Sequence, residues 1–262
     1  MMAEVKSMVT EEEQAFYADN GYLLIKGLVS AEGIAELKER LEEYMYDRLP
    51  IPEGVKIQVE PRVERGEVPW PERRGDAFRK IDRLVVHDDR FRGLGTMPEV
   101  VKRMQALIGS ENLKLFRDSV LMKPAQVGSA KGMHQDSPYW PIEPMALSSC
   151  WMPFEPATPE NGCITAIPGS HKRGPVPHER VPDDYIINES NYDPAAVIAV
   201  PMEAGDGLFF HSLLLHGTAP NLTTQSRRAI TMSYMAAEFQ YTGDAPQPDY
   251  LRICGQDVPG GV

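Results

Sequence analysis

Three polar residues in the second half of the chain could share one metal ion. His134 and Asp136 are separated by Gln135, and His216 lies 80 positions beyond Asp136 in GDGLFFHSLLLHGTAPN. Two imidazoles and one carboxylate suit Fe(II), because they take one face of the ion and leave its other positions open. Arg227 follows 11 positions after His216, at the head of RRAITMSY. A guanidinium there can grip the far carboxylate of an acid cosubstrate through two parallel hydrogen bonds. The four residues read as a non-heme iron oxygenase that uses 2-oxoglutarate.

His-x-Asp alone is a weak signal, since a capping Asp in a surface turn gives the same pattern. On a strand, however, positions i and i+2 point to one side, so the spacing predicts that His134 and Asp136 reach one ion together. Ser137-Pro138 then ends the strand near a barrel mouth. The third ligand is His211 or His216. Phe209 and Phe210 precede His211, whereas Gly217-Thr218 and Pro220-Asn221 follow His216. A ligand at a strand end is brought to the mouth, so His216 is the choice. His211 is left to support the metal shell or touch substrate. Arg227 shares its strand face with Ala229, Thr231 and Ser233, and Arg228 with Ile230, Met232 and Tyr234. The small polar face suits a barrel interior holding a cosubstrate, which makes Arg227 the clamp.

The elements that must position these residues fall into two textures. Thr10 and Glu13 form a capping box for a helix over about 11–19. Tyr22–Ile25 reads as a strand. Ser30 caps a helix near 31–48, with Ile34, Leu37, Leu41 and Tyr44 at helical spacing toward the core. Residues 49–75 carry many Pro, Glu and Arg and read as a long loop or lid. Residues 98–108 form a short amphipathic helix. From Leu113 short apolar runs alternate with turn residues: 113–122, 147–154, 163–167, 197–200, 207–211 and 227–235. The expected fold is mainly β with N-terminal helices, a double-sheet jelly roll of the cupin-like kind. One domain is expected, with a helical layer over about 10–108, a β core over about 113–236, and an irregular tail over 243–262. Asn161-Gly162 predicts a hairpin turn, and His171 in the following loop is expected to be structural.

Composition bounds the partners. A chain of 262 residues can bury a substantial core, and 27 basic against 38 acidic residues leave a net charge of −11. That argues against nucleic acid or an anionic membrane surface as partner. Three unpatterned Cys, at 150, 163 and 254, point to a reduced cytoplasmic setting. MMAEVKSMVTEEEQ has no apolar core of a signal peptide, and no run reaches the roughly 18 apolar residues of a membrane helix. The partner is then a small-molecule substrate. Arg62, Arg65, Arg73, Arg74 and Arg79 cluster in sequence and read as a solvated loop.

The stretches RKIDRLVVHDDRF, HQDSPYW, WMPFEPATPENGCITAIPGSHKRG and AGDGLFFHSLLLHGTAPNLTTQSRRAITMSY resemble the phytanoyl-CoA dioxygenase family, over most of 22–234. The resemblance implies a double-stranded β-helix, Fe(II), 2-oxoglutarate and O2. It places the iron ligands at His134, Asp136 and His216, and the 2-oxoglutarate arginine at Arg227. It adds Lys80, Trp151 and Thr218 as cosubstrate contacts. By their residue types alone these three could instead be a solvated strand lysine, a core tryptophan and a turn cap. The resemblance further implies hydroxylation of a small organic or acyl substrate, with release of succinate and CO2. In halogenases of the wider fold a small residue replaces the carboxylate; here Asp136 fills that place, which favours hydroxylation, desaturation or ring formation. A cupin-like barrel doing non-redox isomerase work, or only binding a ligand, is the alternative. It predicts no use for Arg227.

Overall fold

The computed structural model describes residues 9–262. The first eight residues of the leader reading lie outside the described residues. Six helices are α1 Glu11–Asn20, α2 Ala31–Met45, α3 Pro61–Glu64, α4 Leu84–His87, α5 Asp89–Gly95 and α6 Pro98–Ile108. The strands run β1 Tyr22–Ile25, β2 Lys56–Val59, β3 Phe78–Asp82, β4 Leu113–Lys123, β5 Lys131–His134, β6 Ile142–Glu143, β7 Ser148–Pro153 and β8 Ile164–Ala166. They continue with β9 Glu179–Val181, β10 Asp184–Ile186, β11 Ile198–Val200, β12 Gly207–His211, β13 His216–Thr218, β14 Arg227–Ala236, β15 Gln240–Tyr241 and β16 Arg252–Cys254.

The Thr10–Glu13 capping box forms, with both reciprocal hydrogen bonds, and Gly21 ends α1 in the left-handed region. Ser30 caps α2 by accepting from the Gly33 amide, and Ile34, Leu37, Leu41 and Tyr44 are all buried. Eight strands make a large sheet in the order β1-β12-β7-β14-β4-β3-β2, with β16 added on β4. Four make a small sheet in the order β11-β8-β13-β5. This is the mainly β jelly-roll architecture that the strand pattern predicts.

Alternation along the long strands sorts the large sheet's two faces. Val120, Met122, Cys150, Met152, Phe209, Ile230, Met232 and Tyr234 join one core cluster with Leu37, Leu41, Val100 and Met104 of the helices. Burying each such large side chain contributes about 1.5–3 kcal/mol. The opposite face carries Trp151, Leu208, Phe210 and Ala229 into a second cluster with Ile164, Ala166 and Val200 of the small sheet. The β14 register is therefore the expected one. Arg228 turns to the helix side, where Glu155 and Glu42 accept from its guanidinium at 2.5 and 2.9 Å. That ion pairing ties β14 to α2.

Several expectations are corrected. Residues 49–75 are not a structureless loop: β2 pairs with β3 along the edge of the large sheet, and α3 follows it. Isolated from its partner, KIQV carries too short an alternation to be read as a strand. Asn161-Gly162 does not turn a hairpin. Gly162 is left-handed at φ 84, but β7 lies in the large sheet and β8 in the small one, so the turn crosses between sheets. The tail is not wholly irregular, because β16 pairs with β4 at Leu113 and Lys114. α2 also stops at Met45 rather than running to 48.

Candidate active site

His134 and His216 sit directly opposite each other in the β5–β13 ladder of the small sheet. Asp136 does not lie on the strand with His134, as the i, i+2 argument assumes. β5 ends at His134, and Asp136 has helical backbone angles (φ −80, ψ −51) at the start of a tight turn over Ser137–Tyr139. The turn is fixed from the β12–β13 connection. The Ser212 carbonyl accepts from the Asp136 amide at 2.8 Å, and Ser137 Oγ donates to Ser212 Oγ at 2.6 Å. Gln135, fully buried between the two, spans neighbouring segments. Its amide group donates to the carbonyls of Gly174 and Leu213, and its Oε1 accepts from the Val176 amide. The middle residue of His-Gln-Asp thus holds the loops, while its neighbours face the cavity.

One ligand atom from each of His134, Asp136 and His216 lies within 4.8 Å of the others, and all three residues are buried. His134 Nδ1 is 2.9 Å from the Gly132 carbonyl, and His216 Nδ1 is 2.9 Å from the Leu214 carbonyl. Those bonds place the protons on Nδ1 and leave both Nε2 lone pairs for a metal. Burial depresses both imidazoles, His134 further through the nearby His216 and Lys131. Neutral rings with free Nε2 atoms and one carboxylate are the donor set that Fe(II) takes. His211 stands apart from this group. Its Nδ1 accepts from the Leu213 amide, and its ring packs 5.2 Å from His171. The role of metal or substrate support suggested for His211 does not fit these contacts, whereas His171, bonded to the Ala18 carbonyl, has the structural place expected of it.

The site opens into a cavity of about 720 Å³, a size suited to small-molecule ligands. Lys80, Trp151, Thr218 and Arg227 all line it. Arg227 is 2 % exposed. It donates to the Gly162 carbonyl at 3.2 Å and lies 5.4 Å from the centre of the Trp151 ring. Its Nε is buried with no acceptor, and burial lowers its pKa to about 10. A buried guanidinium with unmet donors fits a carboxylate cosubstrate. The ammonium of Lys80 is 2.9 Å from Asp82, so its charge already has a partner.

Sequence reading missed other residues of the wall. Arg117 lies 3.7 Å from Asp136 Oδ1 and stacks 5.0 Å from the Trp140 ring. Lys123, Lys131 and Ser129 also border the cavity. Arg117, Leu121 and Lys123 fall at even spacings along β4, so the period of two contained the signal. Ile57, Val59, Pro61 and Glu64 come from the 49–75 segment, which does border the cavity. The arginine cluster divides. Arg62, Arg65 and Arg73 form exposed ion pairs with Glu67, Asp183 and Asp76, while Arg74 and Arg79 face the cavity.

Comparison with known proteins places this geometry. The family model described as phytanoyl-CoA dioxygenase matches residues 17–229. A probable phytanoyl-CoA dioxygenase of Caenorhabditis elegans is 31 % identical over 240 residues, covering 87 % of this chain and 76 % of the relative. The peroxisomal phytanoyl-CoA dioxygenase of Homo sapiens is 29 % identical over 245 residues, covering 90 % and 71 %. Among solved structures, EctD from S. alaskensis with 2-oxoglutarate and 5-hydroxyectoine superposes at TM-score 0.77 with 18 % identity, over 98 % of this chain and 88 % of that one. SnoK, a non-heme alpha ketoglutarate dependent carbocyclase from nogalamycin biosynthesis, gives 0.70 with 20 % identity, over 93 % and 96 %. With its model match spanning most of the length and the jelly roll in place, the chain belongs to the phytanoyl-CoA dioxygenase family of Fe(II)- and 2-oxoglutarate-dependent oxygenases.

Proposed function

We propose that His134, Asp136 and His216 hold the Fe(II) and that Arg227 and Thr218 hold the distal carboxylate of 2-oxoglutarate, with Trp151 and Lys80 walling the same chamber. The observation that carries this reading is the convergence of two Nδ1-bonded imidazoles and one carboxylate on a cavity that ends at a buried arginine. When bound, iron and cosubstrate supply the oxidising chemistry and release succinate and CO2. The chain's own part is geometric. The small sheet presents the two Nε2 atoms, the Ser212 carbonyl fixes the turn carrying Asp136, and the large sheet fixes Arg227. Leu121, Ile164 and Phe210 add apolar wall to the chamber and keep it partly dry, which strengthens the charged contacts within it.

The substrate is a small organic or acyl molecule, and hydroxylation is the favoured outcome because Asp136 occupies the place that a halide would need. Arg74 and Arg79 face the cavity outside any carboxylate ion pair among the described residues, which favours a substrate bearing negative charge. Residues 9–262 act as one catalytic domain; its main core cluster runs from Val9 to Tyr234. No helix among the described residues is long and apolar enough to cross a membrane. The three cysteines are free, two of them buried, which supports a reduced, cytoplasmic setting; fractionation of tagged cells tests it.

Replacing His134, Asp136 or His216 by Ala should abolish Fe(II) binding at one equivalent while the fold persists. His211→Ala should retain the metal. With a screened substrate, wild type should form succinate and a hydroxylated or desaturated product even in excess chloride. A chlorinated main product would overturn the hydroxylase reading. Iron-loaded protein that never consumes 2-oxoglutarate would point to the non-redox barrel instead.

A further inference from the structure

Lys123 is a buried lysine beside Arg227 with no role in the proposed iron and cosubstrate contacts. It closes β4, directly across the ladder from Arg227. Its side chain is 5 % exposed and lines the cavity. The two cations converge on one glycine. A Cβ built on Gly162 would come within 2.9 Å of Lys123 Cδ and Cε, and the Gly162 carbonyl accepts from Arg227. Lys80, the lysine that the family resemblance points to, is spent on Asp82. Among the described residues no carboxylate lies within ion-pair distance of Lys123; its ammonium donates to the Ser129 carbonyl.

Two adjacent buried cations repel each other and lose hydration, so such a pair is stable only with a neutral member or with an anion between them. Accordingly burial, then Arg227 and Arg79, lower Lys123 to about 7, against weaker opposing effects of Glu60 and Asp184. Glu60 is engaged by Ser129, and Asp184 by Lys131. Among the described residues neither of these carboxylates forms an ion pair with Lys123.

Resting on the assignment of Arg227 above, we propose that Lys123 is the second cationic contact of the 2-oxoglutarate distal carboxylate, and that it takes up a proton when the cosubstrate binds. The lysine is a binding residue, and its protonation couples cosubstrate affinity to pH. Above neutrality the free site holds Lys123 largely uncharged, and the arriving carboxylate draws the proton from solvent. Affinity should therefore weaken as pH rises well above 7, more steeply than metal binding does.

The test is calorimetric titration of anaerobic Fe(II)-loaded protein with 2-oxoglutarate at pH 8, in buffers of different ionisation enthalpy. Wild type should take up a proton fraction approaching one per cosubstrate bound. Lys123→Met should bind about 10- to 100-fold more weakly, the range of one charge-assisted hydrogen bond, with the uptake gone. Lys123→Arg should restore affinity without restoring uptake. 2-Oxovalerate, which has a methyl in place of the distal carboxylate, should bind wild type and Lys123→Met alike. Unchanged affinity and uptake in Lys123→Met, or no uptake by wild type, overturns the proposal. The wild-type measurement decides even if a variant fails to fold. Arg227→Ala run in parallel separates the two ideas. Loss in Arg227→Ala with none in Lys123→Met sinks only the lysine contact, and no loss in either sinks the cosubstrate site as well.

Discussion

In the large sheet β14 pairs along ten residues with β4 and six with β7. In the small sheet β13 is three residues long and β5 four. The proposed cosubstrate contacts Arg227, Lys123 and Trp151 sit on the long ladders, with helices packed behind the sheet. The proposed metal ligands sit on the short strands and on a turn held by the Ser212 carbonyl. The Arg227 end of the cavity is therefore preset by tertiary burial, whereas the His134–His216 end depends on a few hydrogen bonds. Local stability follows such differences in packing, so the small sheet should gain most from a bound ion.

The largest effect expected from this division is at its rigid end. Arg227→Ala removes a charge-assisted pair in a partly dry site, worth about 2–5 kcal/mol by analogy with buried interfacial pairs. The 2-oxoglutarate dissociation constant should rise roughly 30- to several-thousand-fold while Fe(II) affinity stays nearly unchanged. Arg228→Ala, on the helix side, should act on melting temperature instead. Reversed behaviour of the two variants would mean that the cosubstrate meets the other face of β14.

A second, somewhat smaller effect belongs to the small sheet. At 100 times its dissociation constant a ligand stabilises the native state by about 2.7 kcal/mol. Anaerobic Fe(II) should slow amide exchange in Lys131–His134 and His216–Thr218, and leave Leu113–Lys123 almost as it was. Uniform protection across both sheets would erase the contrast between them.

The smallest effect lies off the site and depends on pH. Burial holds folded His211 at about 4, against about 6.5 in an unfolded chain. Unfolded His211 binds a proton that the folded residue refuses, so its share of stability is complete above pH 6.5 and fades as pH falls toward 4. His211→Gln should flatten that acid slope by about 1–3 kcal/mol at most across the window, read from denaturant unfolding. An unaltered slope would assign the acid sensitivity to other groups.

Features set by local chemistry were legible in the sequence: the capping box at Thr10, the amphipathic α2 and α6, and the alternation that sends Arg227 and Arg228 to opposite faces. The choice of His216 over His211 came from the turn residues after it, and the structure groups His216 with the other two candidates. What was not legible depends on distant partners. β2 exists because β3 offers it an edge, and β16 because β4 does. Asp136 reaches His134 and His216 from a turn because the carbonyl of a serine 76 residues later accepts its amide. Lys123 was hidden for another reason. A lysine at a strand end is ordinarily solvated, and only the closing of Gly162 and the 124–130 connection around it makes it a buried charge.

The tryptophans are placed as optical reporters of the two ends of the chamber. Trp151 is buried against Arg227, Trp140 is stacked on Arg117 beside Asp136, and Trp70 is 52 % exposed. Indole emission responds to charge held against the ring. Cosubstrate arrival should therefore alter the emission of Trp151, and events beside the metal that of Trp140, while Trp70 reports the solvent. Three single-tryptophan variants would turn one protein into separate gauges for the order in which its ligands enter.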